Sequence, residues 1–134
     1  MRVLLADDEP ISRRLLEGLL RHWGYETVAV GDGLEAWQLL TGNEPPQVAV
    51  LDWLMPGLDG VTLCRSIREH DRLRSTYVIL VTGKRSAADV AEAYAAGVDA
   101  VVEKPVAHEA LEERLRHAAR LVRARPELEE LGTR

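Results

Sequence analysis

Val3-Leu4-Leu5-Ala6-Asp7-Asp8 opens the chain almost at once, and Val48-Ala49-Val50-Leu51-Asp52 repeats its form: an apolar run that stops on a carboxylate. Two further runs follow the same plan. Val78-Ile79-Leu80-Val81 stops on Thr82, and Ala100-Val101-Val102-Glu103 stops on Lys104. Short continuous runs of this kind predict strands buried on both faces of a parallel sheet. In open α/β sheets, ligands bind outside the carboxyl ends of the strands. One geometric rule therefore gathers Asp7, Asp8, Asp52, Thr82 and Lys104 at a single sheet edge.

Helical patterns lie between the strands. Pro10 suits the first turn of a helix whose apolar face holds Ile11, Leu15, Leu16, Leu19 and Leu20, with Gly24 as its stop. Tyr25 to Val30 reads as a strand, Asp32-Gly33 as a turn, and Leu34 to Leu40 as a short helix. Thr41 to Gln47 is a loop. Met55-Pro56-Gly57 forms a tight connection to a helix carrying Val61, Leu63, Cys64 and Ile67. Asp71 to Thr76 is a polar loop, and Ser86 to Ala96 an Ala-rich helix that Gly97 ends. The last helix runs from Val106 to about Arg123, with Leu111, Leu115, Ala118 and Val122 on one stripe. Pro126 is expected to kink or end it near Arg125. The pattern is βα five times, an α/β chain with right-handed crossovers and helices on both sheet faces. A flavodoxin-like strand order of 2-1-3-4-5 is favoured, because it sets strands one and three side by side and brings Asp7 and Asp8 next to Asp52.

A length of 134 residues fits one domain with a real core, and 46% hydrophobic with 29% charged residues fits a globular one. No apolar stretch approaches the ~20 residues of a membrane span, and Met1-Arg2 leads straight into a strand rather than a signal peptide. The single Cys64 excludes an internal disulfide and points to a reducing cytoplasm. The net charge of −5 disfavours nonspecific binding to nucleic acid.

Three carboxylates within about 5 Å repel by roughly 3 kcal/mol per pair at an effective dielectric of ~20. A bound cation is the simplest compensation. Oxygen ligands with open coordination positions suit Mg²⁺. A carboxylate beside Mg²⁺ can attack phosphorus to give an acyl phosphate, and the developing charge then needs stabilisers. Lys104 supplies a point charge and Thr82 a hydroxyl donor. Taken singly, each residue has a plainer reading: a helix-capping Asp, a strand-end Thr, a Lys-Pro surface turn. The functional reading rests on their coincidence at one edge.

These residues resemble a response-regulator receiver domain of two-component signal transduction. The resemblance is carried by Leu4-Leu5-Ala6-Asp7-Asp8-Glu9, Asp52-Trp53-Leu54-Met55-Pro56-Gly57-Leu58-Asp59-Gly60, Val81-Thr82-Gly83 and Glu103-Lys104-Pro105. It implies a receiver domain over residues 1–123, with 124–134 a C-terminal tail or the start of a linker to an output domain absent from this sequence. It implies a phosphorylation-dependent switch rather than an enzyme with an external substrate. Asp52 would accept the phosphoryl group from a sensor histidine kinase or phosphotransfer protein. Asp8, Asp52 and the backbone carbonyl of Leu54 would bind Mg²⁺ directly, and Asp7 mainly through water. Thr82 would meet a phosphoryl oxygen, and Lys104 would pair with Asp52 and then with the phosphoryl group. Lys104-Pro105 becomes a candidate cis bond, although residue statistics alone favour trans, cis being ~5–6% of X-Pro bonds. A homodimer through the face of the fourth helix, fifth strand and fifth helix is compatible with the family. The chain departs from the pattern at Val101, where an aromatic residue is frequent. Leu54 and Lys84 hold positions that line the approach of water in similar domains.

Trp53 is expected to fill a corner beside Asp52 and report on the pocket, and Cys64 to be core. His22, His70, His108 and His117 show no ligand spacing and read as surface residues. Tyr94 fits either an output face or a packing helix. Two rival readings stand beside this one. A phosphohydrolase of the haloacid-dehalogenase type would show Asp-x-Asp and a cap domain; a degenerate receiver would bind partners without phosphorylation.

Overall fold

The computed structural model describes residues 1–132, and side chains through Ala124. Its elements are β1 (Arg2–Ala6), α1 (Pro10–His22), β2 (Glu26–Val30), α2 (Gly33–Leu40), β3 (Val48–Asp52), α3 (Gly60–Glu69), β4 (Tyr77–Thr82), α4 (Ala87–Ala95), β5 (Ala100–Glu103) and α5 (His108–Gly132). All five strands are parallel, in the order β2-β1-β3-β4-β5, as the apolar runs predict.

Alternate strand residues supply two apolar layers. Leu4, Ala49, Leu51, Val78 and Leu80 face Ala36 and Leu40 of α2, Leu63, Cys64 and Ile67 of α3, and Ala93 of α4. Val3, Leu5, Val48, Val50, Ile79 and Val102 face Leu16 and Leu20 of α1 and Leu111, Leu115 and Ala118 of α5. Both layers are buried, so β3 and β4 contain no exposed residue. Cys64 is core, as expected, and burial pushes its thiol up to about 11.

Four helices begin on side-chain caps. Glu9 accepts from the backbone of Ile11 and Ser12, Asp32 from Glu35, Asp59 from Thr62 and Ser86 from Asp89. Gly60 is needed for a different reason: a Cβ there would stand 2.4 Å from the carbonyl oxygen of Asp52. α3 thus starts against the backbone of the strand end that carries Asp52.

The structure corrects several expectations. Ile11 and Leu15 lie on the apolar stripe of α1 by spacing, yet they are 79% and 58% exposed. The covered line of the helix runs through Leu16 and Leu20, and Ile11 and Leu15 fall beside it. His70 is half-buried rather than on the surface, edge-on to Trp37 with ring centroids 5.9 Å apart. The last helix begins at His108, and it passes Pro126 to end at Gly132. A proline removes one helical hydrogen bond at a cost of ~3 kcal/mol, and the strong helix formers around it (Ala124, Arg125, Glu127, Leu128) continue the helix.

Arg68 ties the lower edge together. Its Nε donates to the carbonyl of Gly97 at 2.9 Å, and Nη1 to the carbonyls of Arg74 and Thr76 at 2.8 and 2.6 Å. Nη2 meets Asp99 Oδ2 at 2.8 Å, and the same oxygen accepts from Val78 N–H at 2.8 Å. Gly97, at φ +103°, lets the turn after α4 close on this side chain. One guanidinium therefore joins α3, the loop after it and the turn into β5. Arg68→Met should lower stability by about 3 kcal/mol in urea unfolding, since it strands several partly buried acceptors. Arg68→Lys should recover only a part, because one ammonium cannot reach all of them.

Candidate functional site

The ladder carries the functional side chains to one level. Ala6 pairs with Leu51 across β1 and β3, so Asp7 stands beside Asp52. Asp52 pairs with Val81, and Thr82 pairs with Glu103, one residue before Lys104. Hydrogen bonds extend this order past the strands: Asp7 N–H donates to Val30 at 3.1 Å, Trp53 N–H to Val81 at 3.1 Å and Lys104 N–H to Thr82 at 2.9 Å.

Carboxylate oxygens of Asp7, Asp8 and Asp52 lie within 4.8 Å of one another. Asp7 and Asp52 are buried and Asp8 is exposed. The cluster is thus rooted in the protein and open on one side, as a partly hydrated cation requires. Lys104 Nζ lies 3.0 Å from both oxygens of Asp52. Beneath them, Leu5, Leu16, Val50 and Val81 form an apolar floor with no room for water. Lys104-Pro105 is cis.

Thr82 is buried, and its Oγ accepts from Lys84 N–H at 2.9 Å, which leaves the hydroxyl proton as its donor. Leu54, two residues past Asp52, is 64% exposed. Trp53 is buried beside Asp52, as its position predicts, and Lys84 Nζ sits 4.2 Å from its ring centroid. Val101 packs against the α2–α4 layer, filling its place with an aliphatic side chain.

Two supports were not read from the sequence. Asp7 Oδ1 accepts from Glu9 N–H at 3.0 Å, and Arg13 Nη1 donates to the Asp7 carbonyl at 2.9 Å. Glu9, third in an acidic run, caps α1, and the amides of Ser12 and Ile11 hold its carboxyl below the usual range. A carboxylate just ahead of Pro10 at the first helical position was the available signal.

Burial pushes the Asp52 carboxyl above its ordinary 3.8; the Lys104 hydrogen bond and charge pull it back, and Asp7 and Asp8 add to the rise. A carboxyl raised on folding favours the native state below 3.8 and loses that contribution as pH climbs through the folded value. The ionised Asp52 therefore costs stability at neutral pH. Asp52→Asn, whose amide oxygen can still accept from Lys104, should raise the thermal midpoint at neutral pH in chelator by on the order of 3 °C. Circular dichroism should show that gain vanish near pH 3.8.

Comparison with known proteins gives one family. Residues 3–116 match the model of the response regulator receiver domain. The chain is 34% identical over 116 residues to the chemotaxis protein CheY1 of Helicobacter pylori, covering 86% of this chain and 94% of that one. It is 36% identical over 117 residues to CheY of Pseudomonas aeruginosa, covering 86% and 93%. Among solved structures, the signal receiver domain of an HD domain-containing protein from Pseudomonas fluorescens Pf-5 superposes with a TM-score of 0.83 at 28% identity, over 94% and 91% of the two chains. The receiver domain of the sensor histidine kinase PA1611 from Pseudomonas aeruginosa, with a magnesium ion coordinated in its active site cleft, gives 0.77 at 26% identity over 87% and 94%. With strand order, acidic cluster and family match in agreement, this chain belongs to the response regulator receiver domains, the phosphorylation-dependent switches of two-component signalling.

Proposed function

We propose that Asp52 is the phosphoacceptor of this switch. The observation that carries the reading is its carboxylate, buried beside Asp7 and Asp8 and held by Lys104 at 3.0 Å. Asp7, Asp8, Asp52 and the backbone carbonyl of Leu54 would hold Mg²⁺, with Asp8 and Asp52 direct ligands and Asp7 acting mainly through water. The ion, when bound, offsets the carboxylate charge and that of the incoming phosphoryl oxygens.

The chemistry is assigned to this chain's own groups. An Asp52 oxygen attacks the phosphorus of a phosphohistidine on a sensor histidine kinase or phosphotransfer protein. The P–N bond breaks, and the leaving imidazole keeps the electron pair. Lys104 shifts from the carboxylate to a phosphoryl oxygen, and Thr82 donates its hydroxyl proton to another. Water later cleaves the acyl phosphate, releasing inorganic phosphate and restoring Asp52. The domain catalyses only these two steps upon itself. Exposed Ile11 and Leu15, near Lys104 on α1, support donor docking beside the site.

Thr82 releases the Lys84 amide when it turns to the phosphoryl group, so the loop into α4 moves with it. With Val101 in place of an aromatic, this relay runs through backbone rather than through a rotating ring. Tyr94, exposed on α4, supports an output face there, open to a partner or a second copy. Residues 1–123 form the switch in this reading and 124–134 lead on as tail or linker; residues 133–134 lie outside the described part. The protein works in the cytoplasm, where its donor kinases present their phosphohistidines, and not on nucleic acid itself.

Intact mass spectrometry after acetyl phosphate with Mg²⁺ should show one added phosphoryl group, absent in Asp52→Asn. Lys104→Ala should slow its appearance at least about 100-fold. Labelling elsewhere, or none, defeats the assignment, and multiple turnover of phosphate esters would favour a phosphohydrolase.

Leu54 places an exposed apolar side chain where water must approach. Leu54→Asn should shorten the acyl-phosphate lifetime several-fold in a radiolabelled-phosphate decay assay, whereas equal lifetimes remove Leu54 from control of hydrolysis.

A further inference from the structure

A groove of about 470 Å³ opens between α5 and the start of β2, at the sheet edge opposite the carboxylates. The five residues of β1 hold the two edges about 17 Å apart. Met1, Tyr25 and Val122 form its apolar part, and Arg116, Arg120 and Arg123 line the rest.

These arginines stand at i, i+4 and i+7 on α5, on one helix face. Like charges at that spacing oppose the helix, and of the three Arg120 has the fewest acidic neighbours along it. Glu112 pairs with Arg116 at 2.9 Å. Arg120 has Arg116 and Ala124 four residues away and His117 and Arg123 three away, with no carboxylate at any helical neighbour. Arg123 turns Nε to the Ala119 carbonyl at 3.3 Å and has Glu127 four residues further along the helix. No ion pair to Arg120 or Arg123 forms among the described residues. In a chain of net charge −5, this concentrates cation where surface composition would not put it. Tyr25 sits within its field: burial pushes the phenol up, the Arg116 and Arg123 charges act against that rise, and Glu112 adds to it.

We propose that this groove is a second ligand site, taking an organic phosphate of nucleotide size. The guanidinium forks of Arg120 and Arg123 match phosphate oxygens bidentately, and a planar ring lies against Tyr25. The volume falls within that of ordinary small-molecule sites. The site does not depend on phosphoryl chemistry at Asp52.

The test is an amide chemical-shift titration with ATP and, separately, inorganic pyrophosphate, in excess chelator so that Mg²⁺-dependent anion binding at Asp52 is absent. Saturable shifts at Tyr25 and along Arg116 to Arg123 are expected, tighter for ATP than for pyrophosphate. Arg120→Glu should weaken binding at least tenfold and Arg120→Gln less, while Asp52→Asn leaves it unchanged. Arg120 is exposed, so its variants keep the fold, which the remaining amide spectrum verifies. Shifts that do not saturate, that centre on Asp52 or that survive Arg120→Glu overturn the site. Equal affinity for the two probes overturns its nucleotide-sized character.

Discussion

Asp7, Asp8 and Asp52 keep their carboxylates within 4.8 Å of one another, two of them buried. A folded chain holds like charges that close against a cation or by taking up a proton, and Lys104 is the cationic side chain that pairs with Asp52 among the described residues. The rest of the architecture answers this demand. Strand order makes β1 and β3 neighbours, register levels their ends, and a glycine at the head of α3 brings that helix against the Asp52 backbone. The apolar floor keeps water from weakening the pair from below. Lys104 leaves the cluster negative, a charge balance that suits a divalent ion.

Most of the fold was legible because its signals are local and redundant. Strands buried on both faces must read as unbroken apolar runs, and β1, β3, β4 and β5 do. The site was legible for the related reason that topology, once known, converts distant strand ends into neighbours. Less legible were features set by where an element stops. On α1 the covered line runs through Leu16 and Leu20 and leaves Ile11 and Leu15 outside it, and periodicity carries no information about where the covered surface stops. Pro126 does not end α5, because a residue's intrinsic cost says nothing about the helix formers around it. Arg68 gave no signal at all: most of its acceptors are backbone carbonyls, which every residue has.

The resemblance to receiver domains supplied what spacing could not. Three acidic residues and a lysine at a sheet edge permit several phosphate chemistries, and only the family pattern ranks Asp52 above Asp7 or Asp8 as nucleophile. Geometry adds a physical reason of its own. Of the three carboxylates, Asp52 is the one Lys104 contacts, and burial, more than its acidic neighbours, pushes its carboxyl up. Asp8 is exposed and better suited to holding a hydrated ion.

The alternation of strand side chains between two buried layers has a consequence for how this chain tolerates change. Neither side of β3 faces water, so its odd and even positions belong to different partners, α2 and α3 on one side and α1 and α5 on the other. Exchange of one aliphatic for another is absorbed locally. Insertion or deletion of a single residue inverts the parity of everything beyond it, moving the Asp52 carboxylate by ~3.3 Å and turning it to the other side of the sheet. Length variation among descendants of this sequence should therefore gather in the stretch from Thr41 to Gln47, outside any strand, where an added residue leaves that parity untouched.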